Sequence, residues 1–262
     1  MGFQIGADLF RLVWPQKGNS ALANDDPFRH HPALRPLITP REDSFFKDFR
    51  VEKPLAMLEA SGLATDWLLS DVEREACRAG TLAGRNDQDL WVFGYGSLMW
   101  DPGMRFTEVR RADAPQLARR FILFDTQGGR GTRDAPGLMA ALDDGNGCHG
   151  LVFRLAARDV DTETYSLWSR ERIGPAYQPA FVEVLTEHGV VEALTFVADH
   201  SADQIHTDLT HDEQVRYCAT GTGLLGSSRA YLENLAKHLE VLRIEDAEID
   251  RLLTDVRAWT SD

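Results

Sequence analysis

Leu90-Trp-Val-Phe runs straight into Gly94-Tyr95-Gly96-Ser97, and the chain then turns apolar again at Leu98-Met99-Trp100. A short, continuous apolar run of this kind reads as a strand buried on both faces. The strand of a dinucleotide-binding fold passes through its glycine turn into a helix. No helical period follows Ser97. Glycines at 94 and 96 allow the backbone φ > 0 and close approach to a ligand. Successive N–H groups from Tyr95 to Leu98 then suit a concave nest for an anion. The alternative for the same glycines is a plain tight turn at the end of a barrel strand.

Further strand-like stretches follow at 120–125, 138–142, 150–155, 179–186 and 190–197. A helical stretch is expected over 159–172, and Thr210-His-Asp-Glu213 reads as a capping box for a helix ending at Gly221. Tyr231, Leu232, Leu235, Leu239 and Leu242 form one stripe of helical period, and Ile249, Leu252, Leu253 and Val256 form another. Strands first, one inserted helix, then helices last predict an α+β domain rather than a doubly wound sheet. Residues 90–262 are expected to form this domain, preceded by an extension over 1–89. The extension reads as irregular to about residue 53, where PFRHHPALRPLITP supplies four prolines, and as helical beyond. Ser70-Asp-Val-Glu73 is a second capping box, with Gly80 as the stop.

A net charge of −13 disfavours nucleic-acid or anionic-membrane binding. An anionic substrate would therefore need a locally positive pocket or backbone donors. Cys77, Cys148 and Cys218 are odd in number and lack C-x-x-C spacing, which fits structural thiols in a reducing compartment. MGFQIGADLFRLVWPQ has no basic segment before an apolar run, and Gly6 stands where a myristoylation signal wants Ser or Thr. No apolar run approaches the ~20 residues of a membrane span. The expected location is the cytoplasm, with no membrane association.

Gly221-Thr-Gly223-Leu-Leu-Gly226 matches G-x-G-x-x-G in letters, but follows helical sequence and is followed by more of it. A flexible helix-to-helix connection is the better reading. His206 and His211 lie five apart, not at the i, i+4 spacing of a zinc helix, and a solvated loop accounts for them. Ser97 lacks the nucleophile elbow, since Met99 stands where its last glycine belongs. No metal and no cofactor is expected.

Arg170-Glu171-Arg172-Ile-Gly-Pro-Ala-Tyr177 places a carboxyl between two arginines near a helix end, usually a surface ion pair. Here Trp168, Ile173, Pro175, Tyr177 and Phe181 surround it with bulk. Burial raises a carboxyl pKa while arginines lower it, and both outcomes stay open from sequence.

Taken together, these segments resemble the ChaC-like gamma-glutamylcyclotransferases, the glutathione-specific branch of their superfamily. VFGYGSLMW matches the family's glycine-tyrosine-glycine-serine loop. Gly129-Arg130-Gly131-Thr132 with Pro136-Gly137 resembles its second loop, and Arg170-Glu171 with Tyr177 and Pro179 its catalytic segment. Gly223-Leu-Leu-Gly226-Ser-Ser-Arg-Ala-Tyr231 resembles its late turn and tyrosine-bearing helix. The four occur in the family's order over residues 90 to about 259. Leu138 departs from it, standing where an arginine is expected, with Arg130 or Arg133 as replacements.

The resemblance implies cyclisation of the γ-glutamyl group of glutathione to 5-oxoproline with release of Cys-Gly. It implies a small mixed β-barrel or sheet with flanking helices as the core, and Glu171 as the acid–base residue. Val92, Phe93, Gly94, Tyr95, Gly96, Ser97 and Leu98 would form the substrate-binding stretch, with Arg130, Tyr177 and Tyr231 beside it. Two rivals are cyclisation of other γ-glutamyl amines or dipeptides, and a binding module without catalysis.

Overall fold

The computed structural model describes residues 25–85 and 87–260. The N-terminal stretch read for targeting signals lies outside them.

Leu90–Gly94 forms β1, and its side chains alternate across the sheet as a strand requires. Val92 enters the larger apolar cluster, beside Leu151, Phe153 and Trp168. Phe93 enters a second cluster with Val152, Val184 and Ala193. Four more strands complete a closed barrel: β2 (Glu108–Ala114), β5 (Cys148–Leu155), β6 (Tyr177–Thr186) and β7 (Gly189–Ala198). Their order is β1-β5-β2-β6-β7, and a parallel pairing of β1 with β7, Val92 opposite Leu194, shuts the ring. The long strands β3 (Leu117–Gln127) and β4 (Thr132–Asp144) pair antiparallel in a separate two-stranded sheet. The fold is thus α+β around a small mixed barrel.

The expected helices form as α1 (Glu52–Ala60), α2 (Asp71–Thr81), α3 (Ala157–Glu171), α4 (His211–Thr220), α5 (Ser228–Leu242) and α6 (Ala247–Ala258). Both capping boxes are made: the Ser70 and Thr210 hydroxyls accept from the N–H of Glu73 and Glu213, whose carboxylates return the bond. Gly80 does not stop α2, which runs to Thr81 and is capped by the Leu82 N–H on the Arg78 carbonyl.

Two elements escape sequence reading. β2 is EVRRADA, whose three charged residues at its start hide the strand; Glu108 is buried because Arg29 and Arg110 pair with it. The Gly221–Gly226 run is not a loose connection. It forms a tight hairpin of β8 (Thr222–Gly223) and β9 (Gly226–Ser227).

The segment before β1 shares the barrel's core. Phe28, Leu34, Ile38 and Leu82 belong to the same apolar cluster as Val92. Residues 25–53, expected to be irregular, contain short 3-10 turns at Pro32–Leu37 and Arg41–Asp43. Among the described residues no helix is long and apolar enough to cross a membrane.

Candidate active site

β1 ends where Gly94 meets the next turn. A Cβ on Gly94 would lie 2.8 Å from that of Leu98. The need for glycine here is therefore close packing, not a left-handed backbone. Gly96 likewise has φ −131°, so the expected positive φ at these two glycines is not adopted. The turn instead winds directly into a 3-10 helix, Ser97–Met99, anchored by the buried Leu98 and Met99. Its first backbone donor is Met99, to the Gly96 carbonyl at 2.9 Å. The N–H groups of Ser97 and Leu98 precede that ladder, where a helical turn offers no acceptor of its own. From behind, Arg119 Nε donates to the Tyr95 carbonyl at 2.6 Å and fixes the turn.

Glu171 is the last residue of α3, which Gly174-Pro175 cannot extend. Its side chain is 14% exposed, and Arg170 Nε stands 3.0 Å from its Oε1. The same guanidinium donates to Ser97 Oγ at 2.7 Å and to the Asp101 carbonyl at 2.7 Å. One buried arginine thus joins the carboxyl to the turn. Burial raises the Glu171 pKa above its ordinary value, and the Arg170 charge recovers only part of that shift. Desolvation wins the contest that sequence leaves open.

Tyr177 and Tyr231 complete the polar floor, and Tyr95, buried in the second apolar cluster, supports them. Tyr95 and Tyr177 are hydrogen-bonded to each other, and Tyr177 Oη donates to the Ala140 carbonyl at 3.0 Å. Burial drives both phenols well above their ordinary pKa and the Glu171 and Tyr231 charges add to it, while the hydrogen bond between them lowers the Tyr95 value and raises that of Tyr177. Tyr231 is pushed up to about 12 by burial, while an Ala140 backbone hydrogen bond and the Arg119 and Arg130 cations oppose it. All three remain neutral donors across the physiological range.

The second loop is organised by Asp125, unremarked in sequence reading although an Asp before a glycine turn is a known loop organiser. Its carboxylate accepts from the backbone N–H groups of Gln127, Arg130 and Gly131. Arg130 lies with its guanidinium 5.7 Å from the Tyr231 ring centre. Ser228 Oγ ties this loop to β4, accepting from Leu138 N–H at 2.9 Å. Leu138 itself is fully buried in the main core, and the neighbouring Met139 and Ala140 face the cavity. A leucine at 138 therefore serves packing.

Part of this constellation lines one cavity of about 300 Å³. Its polar wall includes Ser97, Arg170, Glu171, Tyr177 and Tyr231. Of the stretch expected to bind substrate, Ser97 lines it, whereas Val92, Phe93, Gly94, Tyr95, Gly96, Leu98 and Arg130 are not among its lining residues; the Val92 and Phe93 side chains fill the two cores and hold β1 in place. His206 stacks on Phe124 at 4.5 Å, while His211 pairs with Asp255 at 2.7 Å, so the two histidines serve separate neighbours. Sequence reading missed Arg170 as the bridge, and it missed the cavity's roof, which comes from residues 45–67.

The cavity thus sets the Glu171 carboxyl and the Arg170 guanidinium beside the Ser97 turn at the end of β1. The family model described as ChaC-like protein matches residues 90–259, and the chain belongs to that family. It is 35% identical over 192 residues to the Escherichia coli (strain K12) glutathione-specific gamma-glutamylcyclotransferase, covering 72% of this chain and 83% of that one. The Schizosaccharomyces pombe enzyme of the same name is 28% identical over 178 residues, covering 61% and 87%. A yeast gamma-glutamylcyclotransferase specific to glutathione shares the fold, with a TM-score of 0.58 at 22% identity over 65% of this chain and 99% of that one.

Proposed function

We propose that this protein cyclises the γ-glutamyl group of glutathione, releasing 5-oxoproline and Cys-Gly. Residues 90–262 carry the reaction and residues 1–89 extend it. The reading is carried by one observation: a desolvated carboxyl, Glu171, joined through Arg170 to the Ser97 turn inside one cavity.

The chemistry follows from those groups. The glutamyl α-carboxylate sits at the turn, receiving the Ser97 and Leu98 N–H groups and the Ser97 hydroxyl, with the Arg170 charge behind them. Backbone dipoles and one buried cation so hold an anion on a protein of net charge −13. The α-amine then lies beside Glu171. The carboxylate takes a proton from the ammonium, and the freed amine attacks the side-chain amide carbonyl. The new C–N bond closes the five-membered ring as the bond to the cysteine nitrogen breaks. Glu171 gives its proton to that nitrogen, then takes the second proton from the ring nitrogen and passes it to the Cys-Gly amine, so the lactam leaves neutral, Cys-Gly leaves as its ammonium, and no water is consumed. A raised pKa makes Glu171 a stronger base and keeps its conjugate acid available. The neutral tyrosines hold the chain folded, which is where a ring closure gains most of its rate.

The three cysteines are free, consistent with a reducing compartment such as the cytoplasm, where the substrate's own thiol persists. The test is incubation with glutathione and mass spectrometry for 5-oxoproline. Saturable binding of glutathione without Cys-Gly release would instead favour a non-catalytic module.

A further inference from the structure

The roof of the cavity is made by a part of the chain outside the family match, which begins at residue 90. Phe46, Phe49, Met57, Leu58 and Trp67 face it from the extension. Across from them stand Leu224 and Leu225 at the β8–β9 hairpin tip. This roof is fixed in place. Phe46 packs 3.7 Å over the Arg170 guanidinium, and Leu69 N–H donates to the Ile173 carbonyl at 3.0 Å. The hairpin tip is held by Leu224 N–H on Gly128 at 2.7 Å and Leu225 N–H on Gly129 at 2.9 Å. A Cβ on Gly174 would strike the Trp67 ring at 2.8 Å, so that contact needs glycine.

Two features of this roof point to a ligand. First, seven large apolar side chains are exposed among the described residues, and four of them, Phe45, Met57, Leu224 and Leu225, line this one cavity. Apolar exposure concentrated at one mouth marks a binding surface. Second, the charged side chains of the lining are Asp125, Arg170 and Glu171, and all three are committed: Asp125 to backbone N–H groups, the other two to each other. Phe46, Phe49, Met57, Leu58 and Trp67 meanwhile present an apolar face to whatever substituent reaches the roof.

We propose that this roof is a subsite for an apolar substituent on the cysteine sulfur, so that thioether conjugates of glutathione bind in preference to glutathione itself. The inference rests on the γ-glutamyl reading of the site. In such a conjugate the sulfur sits on the cysteine Cβ, three bonds from the scissile nitrogen. Its substituent therefore lies close to the reacting centre, beneath Phe46, and the glycine carboxylate leaves through the mouth to solvent.

The test separates binding from turnover. Glu171→Gln protein, in which the acid–base group is silenced, is titrated calorimetrically with glutathione and its S-methyl, S-butyl and S-hexyl derivatives. Affinity is expected to rise by about fourfold per methylene over the first carbons buried, and roughly tenfold or more across the series. In the double variants carrying Leu225→Ser or Met57→Ser, both at exposed positions, the gain should shrink severalfold. Equal or falling affinity along the series overturns the subsite, as does a gain that persists in both serine variants. Wild-type 5-oxoproline release is measured beside it. Its absence, with the affinity trend intact, would sink the proposed reaction and leave the subsite standing.

Discussion

The floor and the roof of the cavity are built by different physics. On the floor, Arg170, Ser97, Asp101, Tyr177 and Ala140 are tied by directional hydrogen bonds between 2.7 and 3.0 Å. Such a network has one arrangement, and displacing any member leaves buried polar groups unpaired. The roof is held mainly by apolar contacts from residues 45–67, which adapt to shape and tolerate exchange. Changes on the floor should therefore act steeply on the chemical step, and changes on the roof mildly on affinity.

The largest effect expected is that of Glu171→Gln. Loss of the only carboxyl proposed to move protons should lower kcat by about 10²–10⁴-fold. The fold should survive. Burial dominates the Glu171 shift, so its ionised form costs stability above the raised pKa, and a neutral amide relieves that cost. Arg170 meanwhile keeps Ser97 and Asp101 as acceptors. Thermal unfolding and a 5-oxoproline assay check both halves; wild-type turnover in this variant would remove Glu171 from the mechanism.

Gly94→Ala comes next and tests whether the floor has slack. The added methyl must displace Leu98, whose Cβ it would meet at 2.8 Å. Overpacking of this kind costs about 1–3 kcal/mol. Because the strain falls on the turn proposed to hold the carboxylate, activity should fall by up to about 10²-fold. A crystal structure of the variant with an unmoved turn and full activity would show the floor to be more compliant than its hydrogen bonds imply.

The same division decides what could be read from sequence. The floor was largely legible, because β1 announces itself by an apolar run and Glu171 by a carboxyl amid bulky neighbours at a helix end. Even there the reason given for Gly94 and Gly96 was wrong: the φ values are ordinary and Leu98 supplies the constraint at Gly94. Arg170 was invisible as a bridge, since its partner Ser97 lies 73 residues away and no local period connects them. β2 was hidden because a buried, paired Glu108 reads as solvated in a single sequence. The roof could not be read at all. Phe45, Phe46 and Phe49 look like scattered aromatics in an irregular segment until the tertiary fold carries them across to Arg170 and Leu225.

pH sharpens the comparison, because only the floor titrates. Glu171 must be ionised to accept the first proton, and its pKa is raised from 4.5 by burial. The acid limb of kcat/KM should therefore lie above pH 4.5, with activity lost as pH falls through it. No such limb is expected in the affinity gain from S-alkylation, which depends on apolar contact alone. An acid limb at or below the ordinary carboxyl value would mean that Glu171 is solvated in the working enzyme.

The smallest effect is predicted at the border between the two regions. Gln204 lines the cavity, and its buried Oε1 has no hydrogen-bond partner among the described residues. An orphaned buried acceptor costs about 1–3 kcal/mol unless something supplies a donor. The peptide N–H groups of the substrate are the donors that enter this cavity in the proposed reaction. Binding substrate would satisfy Gln204 equally in the ground and transition states, so its removal should act on KM and spare kcat. For Gln204→Leu, which deletes the acceptor at similar size, KM for glutathione should rise severalfold with kcat nearly unchanged and Tm equal or higher. A fall in kcat with constant KM would move Gln204 from the border onto the floor, among the groups that act only on the transition state.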